Sequence, residues 1–306
     1  MSELSSQEAA LASQLLGFSA TERVLLVNCD DLGMHPGINA AVVEAIESGI
    51  AASCSLMVPC PAAEEAMRSL RERPWIPFGV HLTLVCDAPT YRWGPVAGRG
   101  RVPSLVGADG TFLVASPEGR ATLLGRARAE EVAVEFRAQI ETVLAAGLVP
   151  THLDFHCLAD GGRADLLDVA QALAAEYGLA VRVWLAEGRR RARARGLPVV
   201  DHPFLDSFSL PVEGRAARYA QLLAALPEGL SEWAVHPGRG DADSRAVDGG
   251  WRVRVGDLAF LTSERAAALV REHEVRIVGY QGLRDVWRRV TYRPAATDPR
   301  GGCGGL

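Results

Sequence analysis

The residues of this chain best suited to chemistry are carboxylates and imidazoles at the ends of apolar runs. Val24-Leu25-Leu26-Val27 leads through Asn28 and Cys29 into Asp30-Asp31-Leu32-Gly33. Two adjacent carboxylates repel each other, and a bound cation relieves that repulsion. At a turn both can reach one cavity, one to hold a metal and the other to act on water. Asp31 alone would serve equally as the N-cap of a following helix. His81 lies in Gly79-Val80-His81-Leu82-Thr83-Leu84, a context that also suits a core histidine. Thr151-His152-Leu153-Asp154-Phe155-His156 is more telling. Residues 152, 154 and 156 share one face of a strand, with Leu153 and Phe155 on the other. Not all three need touch a metal, since Asp154 is also suited to orient an imidazole from behind. Val235-His236-Pro237-Gly238 ends another apolar run, where a plain turn histidine is the alternative. One carboxylate and two imidazoles with open positions suit Zn²⁺ or another first-row ion. Mg²⁺ prefers an all-oxygen shell.

Alternating segments must position these groups. Strands are expected over residues 24–28, 51–58, 78–85, 151–155, 180–185, 232–236 and 275–278. Helices are expected over 37–48, 61–71, 127–146, 165–177, 214–225 and 263–271, with Gly49 closing the first. Apolar strands alternating with helices imply a parallel sheet. The strand count favours an α/β fold, an irregular (β/α) TIM-like barrel in a single domain, over an open doubly wound sheet. Catalytic groups then belong at the C-terminal ends of the strands. Residues 1–22 read as an N-terminal extension, helical in part, residues 23–290 as the domain, and residues 291–306 as a disordered tail. A Gly/Pro-rich stretch, residues 87–119, shows no periodicity, and a loop of that length is commonly functional or mobile. The basic run over 189–195 reads as a solvated helix face, with an anion contact as the alternative.

Composition narrows the classes. With 306 residues and 48% apolar side chains, the chain can build a large core. Its net charge of −5 gives no footprint for nucleic acid. All 32 basic side chains are Arg, which excludes Schiff-base and P-loop Lys chemistry. Cys29, Cys54, Cys60, Cys86, Cys157 and Cys303 form no C-x-x-C pair, so a reduced, cytoplasmic protein is expected. No apolar run approaches the ~18 residues of a membrane span, and the N-terminus does not read as a signal peptide. No G-x-S-x-G elbow supports a serine hydrolase.

The motifs above resemble the YdjC-like carbohydrate deacetylase family. The stretches that carry the likeness are residues 27–33, 53–59, 79–84, 150–156 and 236–238, with Arg254-Val255-Gly256-Asp257-Leu258 late in the chain. They occur in the family's order across residues 23–285. The resemblance implies an irregular barrel, one divalent metal and removal of acetyl from an N-acetylated sugar. Zn²⁺ leads as the ion, with Mg²⁺, Co²⁺, Ni²⁺ and Mn²⁺ as alternatives. It implies Asp31, His81 and His156 as metal ligands, Asp30 as general base, and His236 as an acid or substrate contact. His152 and Asp154 would support the ligands. Tyr91, Arg92 and Trp93 in the long loop could stack on or hydrogen-bond to the sugar. A homodimer is implied at family level only. The chain departs from the family at Cys29, Leu32 and residues 157–162, and no departure removes an expected ligand. The competing readings are a metal-dependent hydrolase of another amide or a phosphoester, and a non-catalytic sugar- or metal-binding homologue.

Overall fold

The computed structural model describes residues 10–203 and 205–292. The first helix, α1, is Ala12–Leu15. Strand β1 (Arg23–Leu32) is followed by α2 (Pro36–Glu47), β2 (Ser53–Leu56), α3 (Ala63–Glu72) and β3 (Phe78–Leu82). The long loop then folds into β4 (Val85–Cys86) and β5 (Leu113–Val114), a small separate sheet, before α4 (Pro117–Arg126) and α5 (Ala129–Ala145). Next come β6 (His152–Phe155), α6 (Ala164–Tyr177), β7 (Ala180–Val181), α7 (Ala186–Ala194) and β8 (Leu205–Asp206). The chain continues through α8 (Arg215–Ala224), β9 (Gly229–Val235), α9 (Ala242–Val247), α10 (Trp251–Leu261) and α11 (Glu264–Glu272). It ends in β10 (Arg276–Val278) and α12 (Tyr280–Thr291). The tail expected over 291–306 lies outside the described residues from 293 onward.

The main sheet runs β7-β6-β3-β2-β1-β9-β8, and every pairing in it is parallel. It curls into an incompletely closed barrel flanked by helices; among the described residues no ladder joins β7 to β8. Strand β1 is the axis. Residues 23–29 pair with β9, while β10 takes the lower half of its other edge and β2 the upper half. Both faces of such a strand are covered, so Val24 to Val27 can all be apolar and are all fully buried.

The alternation of β1 breaks where the chemistry begins. Register with β2 shifts between Cys29 and Leu32, and Asp31 has φ +68. This left-handed residue is uncommon outside glycine, and in a bulge it re-aims a side chain. It brings Asp30 and Asp31 to the same side. Pro36 then starts α2 at its first turn, and His35 caps the helix through Nδ1, which accepts from Gly37 N at 3.1 Å.

Several expectations meet different geometry. The strand expected over 180–185 stops at Val181, freeing Arg182 to turn inward. The aperiodic stretch over 87–119 is ordered against α5: Glu135 accepts from the backbone N–H of Val96 (3.0 Å) and Ala97 (2.9 Å), and Glu131 from that of Ser104 (2.7 Å). The basic run falls on α7, where Arg190 pairs with Glu187, Arg191 with Asp168, and Arg195 with Gln171. No helix among the described residues is long and apolar enough to cross a membrane.

Candidate metal and catalytic site

A cavity of about 480 Å³ opens at the C-terminal ends of the strands. On its lining are Asp30, Asp31, His81, His156, Arg182 and His236, delivered by five different strands or the turns after them.

Asp31, His81 and His156 converge. Asp31 Oδ1 lies 3.4 Å from His81 Nε2 and 3.2 Å from His156 Nδ1. The three donor atoms fall within 4.8 Å of one another and all three residues are buried. Donors about 2.0–2.1 Å from a tetrahedral ion are about 3.3 Å apart, so these separations fit a first-row ion between them. The far nitrogen of each imidazole meets a carboxylate. His81 Nδ1 is 3.0 Å from Asp154 Oδ1, because His81 and Asp154 are register partners on β3 and β6. His156 Nε2 is 2.6 Å from Asp87 Oδ1. Such outer carboxylates fix the ring and raise its basicity as a ligand. Arg254 Nη2 sits 2.8 Å from the other oxygen of Asp31.

Asp30 has separate partners. Arg182 grips it with two nitrogens, Nη1 to Oδ2 at 2.8 Å and Nη2 to Oδ1 at 2.9 Å, and Asn28 Nδ2 donates to Oδ1 at 2.7 Å. Arg182 also reaches Asp154 (2.8 Å) and Glu232 (2.8 Å). Oδ2 of Asp30 lies 4.0 Å from both His81 Nε2 and His236 Nε2. His236 is fixed by Ser207 Oγ at Nδ1 (2.8 Å) and by its own N–H, which donates to Asp257 Oδ2 at 2.9 Å.

The electrostatics favour a cation. Burial alone would depress the His81 imidazole, but Asp154, Asp31 and Asp30 push it up to about 10. Burial opposes the rise at His156 too, yet Cys157, Asp87 and Asp31 hold it well above the usual range. Burial works against an ionised Asp31, and Arg254, His156 and His81 nonetheless keep its carboxyl well below the usual range. A field that attracts protons this strongly attracts a divalent ion to the same place.

The remaining expected residues lie elsewhere. His152 is fully buried beneath the cavity, stacked on Tyr280 with ring centroids 3.5 Å apart and bonded to Thr151 Oγ1 at 2.9 Å. Burial lowers its pKa. Asp154 Oδ1 meets His81 Nδ1 at 3.0 Å, on the far side of that imidazole from Asp31. Tyr91, Arg92 and Trp93 do not line the cavity. Tyr91 OH donates to Met34 O, Trp93 Nε1 donates to Val85 O, and Arg92 reaches Thr111 and Asp109, so these three knit the loop together. The aromatic wall is made instead by Phe155, Trp184 and Phe208. Arg182, Arg254 and Asp87 were not marked by spacing in the sequence; only the likeness around Arg254 pointed near one of them.

The model of the family described as YdjC-like protein matches residues 24–272. A Geobacillus stearothermophilus protein named carbohydrate deacetylase is 31% identical over 85% of this chain and 97% of its own length. One of the same name from Thermoanaerobacter pseudethanolicus is 28% identical, over 86% of this chain and its whole length. A crystal structure from Enterococcus faecalis, of a protein described as a cellobiose-phosphate cleavage protein, is similar with a TM-score of 0.73 and 27% identity. That likeness covers 86% of this chain and 99% of the other. By its matched sequence and its Asp31–His81–His156 set, the chain belongs to the YdjC-like family and is a metal-dependent hydrolase of the carbohydrate-deacetylase superfamily.

Proposed function

We propose that the protein removes the acetyl group from an N-acetylated sugar, with Asp31, His81 and His156 holding the metal. The observation that carries this reading is the gap bordered by Asp30 Oδ2, His81 Nε2 and His236 Nε2, with 4.0 Å from the carboxylate oxygen to each imidazole. A base, a metal face and an acid then surround one small volume. The relatives named carbohydrate deacetylase support the same chemistry.

When bound, a divalent ion at this position supplies Lewis acidity, polarising the amide carbonyl and acidifying water. Asp30 Oδ2 takes the proton from the attacking water. Arg182 and Asn28 hold that carboxylate in place throughout, so no reorganisation is needed at the moment of reaction. His236, anchored at Nδ1, presents Nε2 to protonate the leaving amine. Water is the nucleophile and no covalent enzyme intermediate forms. Phe208, 42% exposed and edge-on to His236, and Trp184 offer faces against which a sugar ring packs.

A two-metal phosphoesterase reading is weaker. The other two donor groups among the described residues, Asp87–His156–Cys157 and Asp30–His81–Asp154, each share an imidazole with the first, so neither is independent of it. Acetate release is the deciding assay. Metal-stripped protein receives Zn²⁺, Mg²⁺, Mn²⁺, Co²⁺ or Ni²⁺ and is offered N-acetylglucosamine, its nucleotide- and lipid-linked forms, short chitooligosaccharides, aryl phosphates and a cellobiose phosphate. Metal-dependent acetate release is expected. Release of phosphate or of free sugar without acetate would replace this reading with another hydrolase. A metal-replete protein inactive on the whole panel would favour a binding homologue.

A further inference from the structure

We propose that Arg254 is a positioning residue that keeps Asp31 a one-oxygen ligand and so preserves an open coordination position for the reacting groups. This rests on the metal site read above. Asp31 has two oxygens in different surroundings. Oδ1 faces both imidazoles, at 3.2 and 3.4 Å, whereas Oδ2 is paired with Arg254 Nη2 at 2.8 Å. A carboxylate can offer a metal one oxygen or both, and a hydrolytic ion works with three protein donors and a vacant position. Were Oδ2 free to turn inward, it would compete for that position with water and substrate.

Arg254 is built to prevent the turn. It rises from the first turns of α10, and its side chain is only 3% exposed. Its Nε donates to Asp248 Oδ2 at 2.5 Å, and its guanidinium lies 5.3 Å from the centre of the Phe208 ring. Gly238 makes room for it, since a Cβ there would come within 2.9 Å of the Arg254 side chain. The backbone of Asp31 is set in its left-handed bulge, so the side-chain torsions are what remain to be fixed. Arg254 fixes them from behind.

The sign of the effect separates this role from ordinary support. A guanidinium at a ligand's outer oxygen draws electron density away from it and repels the incoming ion. Arg254 therefore weakens metal binding while it favours turnover. A residue that merely held the site together would strengthen both.

The test uses the full chain, stripped with chelator and titrated with Co²⁺ and Zn²⁺, as wild type, R254M and R254K. Affinity is read by chelator competition and the donor set by visible Co²⁺ absorption, whose band positions change with the donor atoms. R254M is expected to bind the ion more tightly, opposite in sign to the loss of affinity that removing an outer partner usually brings. Its Co²⁺ bands should shift as a carboxylate oxygen takes the place of water, and its kcat should fall while its KM rises. R254K keeps a charge and a donor for Oδ2, so its spectrum should match wild type. A folded R254M with wild-type spectrum and affinity, or with weaker binding, overturns the proposal. If R254M does not fold, a shifted R254K spectrum overturns it instead. Failure of wild type to bind one equivalent, or undiminished binding by H81A, would instead overturn the metal reading beneath it.

Discussion

Asp30 and Asp31 are neighbours in the chain with different partners, and the partners divide their work. Asp31 meets two imidazoles and Arg254, whereas Asp30 meets Arg182 and Asn28. D30N should therefore lower kcat by about 10²–10⁴-fold, the usual worth of a general base, with metal content unchanged by elemental analysis. H81A and H156A should lose metal and turnover together. A D30N variant with wild-type turnover would exclude Asp30 as the base. The expected ligands were legible in the sequence because the strands that bear them are apolar, so a carboxylate or imidazole there stands out. Arg182 was not: in a chain whose cations are all Arg, one more Arg after a strand carries no signal. Tyr91, Arg92 and Trp93 look like a sugar platform in sequence, yet Trp93 is 4% exposed and serves the loop's own packing.

Helix α5 shows how an element can be read correctly and its role missed. Its amphipathic pattern marks residues 127–146 as helical, and Glu131, Glu135 and Gln139 fall one turn apart as a polar stripe. Such a stripe normally faces water. Here all three are buried, because the long loop lies across them and donates backbone N–H groups. Gln139 holds both the N–H and the carbonyl of Thr83 as well, just beyond His81. E135A removes the acceptor of three donors, the N–H groups of Val96 and Ala97 and Gln139 Nε2, at about 1–3 kcal/mol for each left unsatisfied. Urea unfolding should show that loss, and limited proteolysis should cut near residues 95–104 faster than in wild type. Equal stability and equal cleavage would mean the glutamate does not hold the loop. The strand expected over 180–185 is shorter in the structure: β7 pairs over two residues and the chain then leaves the sheet.

At the scale of the molecule, the barrel interior is polar where it meets the cavity. Asp30, Asp154 and Glu232 converge on the single guanidinium of Arg182, and Tyr280 OH donates to Glu232 at 2.7 Å. Burial pushes the Glu232 carboxyl up to about 7, against the pull of Arg182 and Tyr280. Between its ordinary value of 4.5 and about 7 the folded protein thus binds more protons than the unfolded chain. Stability from this group is full below pH ~4.5 and is lost as pH rises through ~7. E232Q is neutral at every pH, so its thermal midpoint relative to wild type should rise between pH 5 and pH 8. A difference that stays constant would show that Glu232 does not titrate in that window. The parallel barrel itself was legible from the alternation of apolar strands and amphipathic helices. Its incomplete closure was not, because the bordering strands β7 and β8 are only two residues each.

That incomplete closure has a consequence for what the protein can accommodate. The turn after β7 contributes Arg182 and Trp184 to the cavity, and the end of β8 and the turn beyond it contribute Asp206 and Phe208. The aperture is thus framed by two flanks that, among the described residues, share no ladder hydrogen bonds. In a closed barrel, widening the mouth means stretching the sheet. Here no ladder between β7 and β8 has to stretch, so substitutions at Trp184 or Phe208 can change the width of the mouth without disturbing the pairings of the sheet.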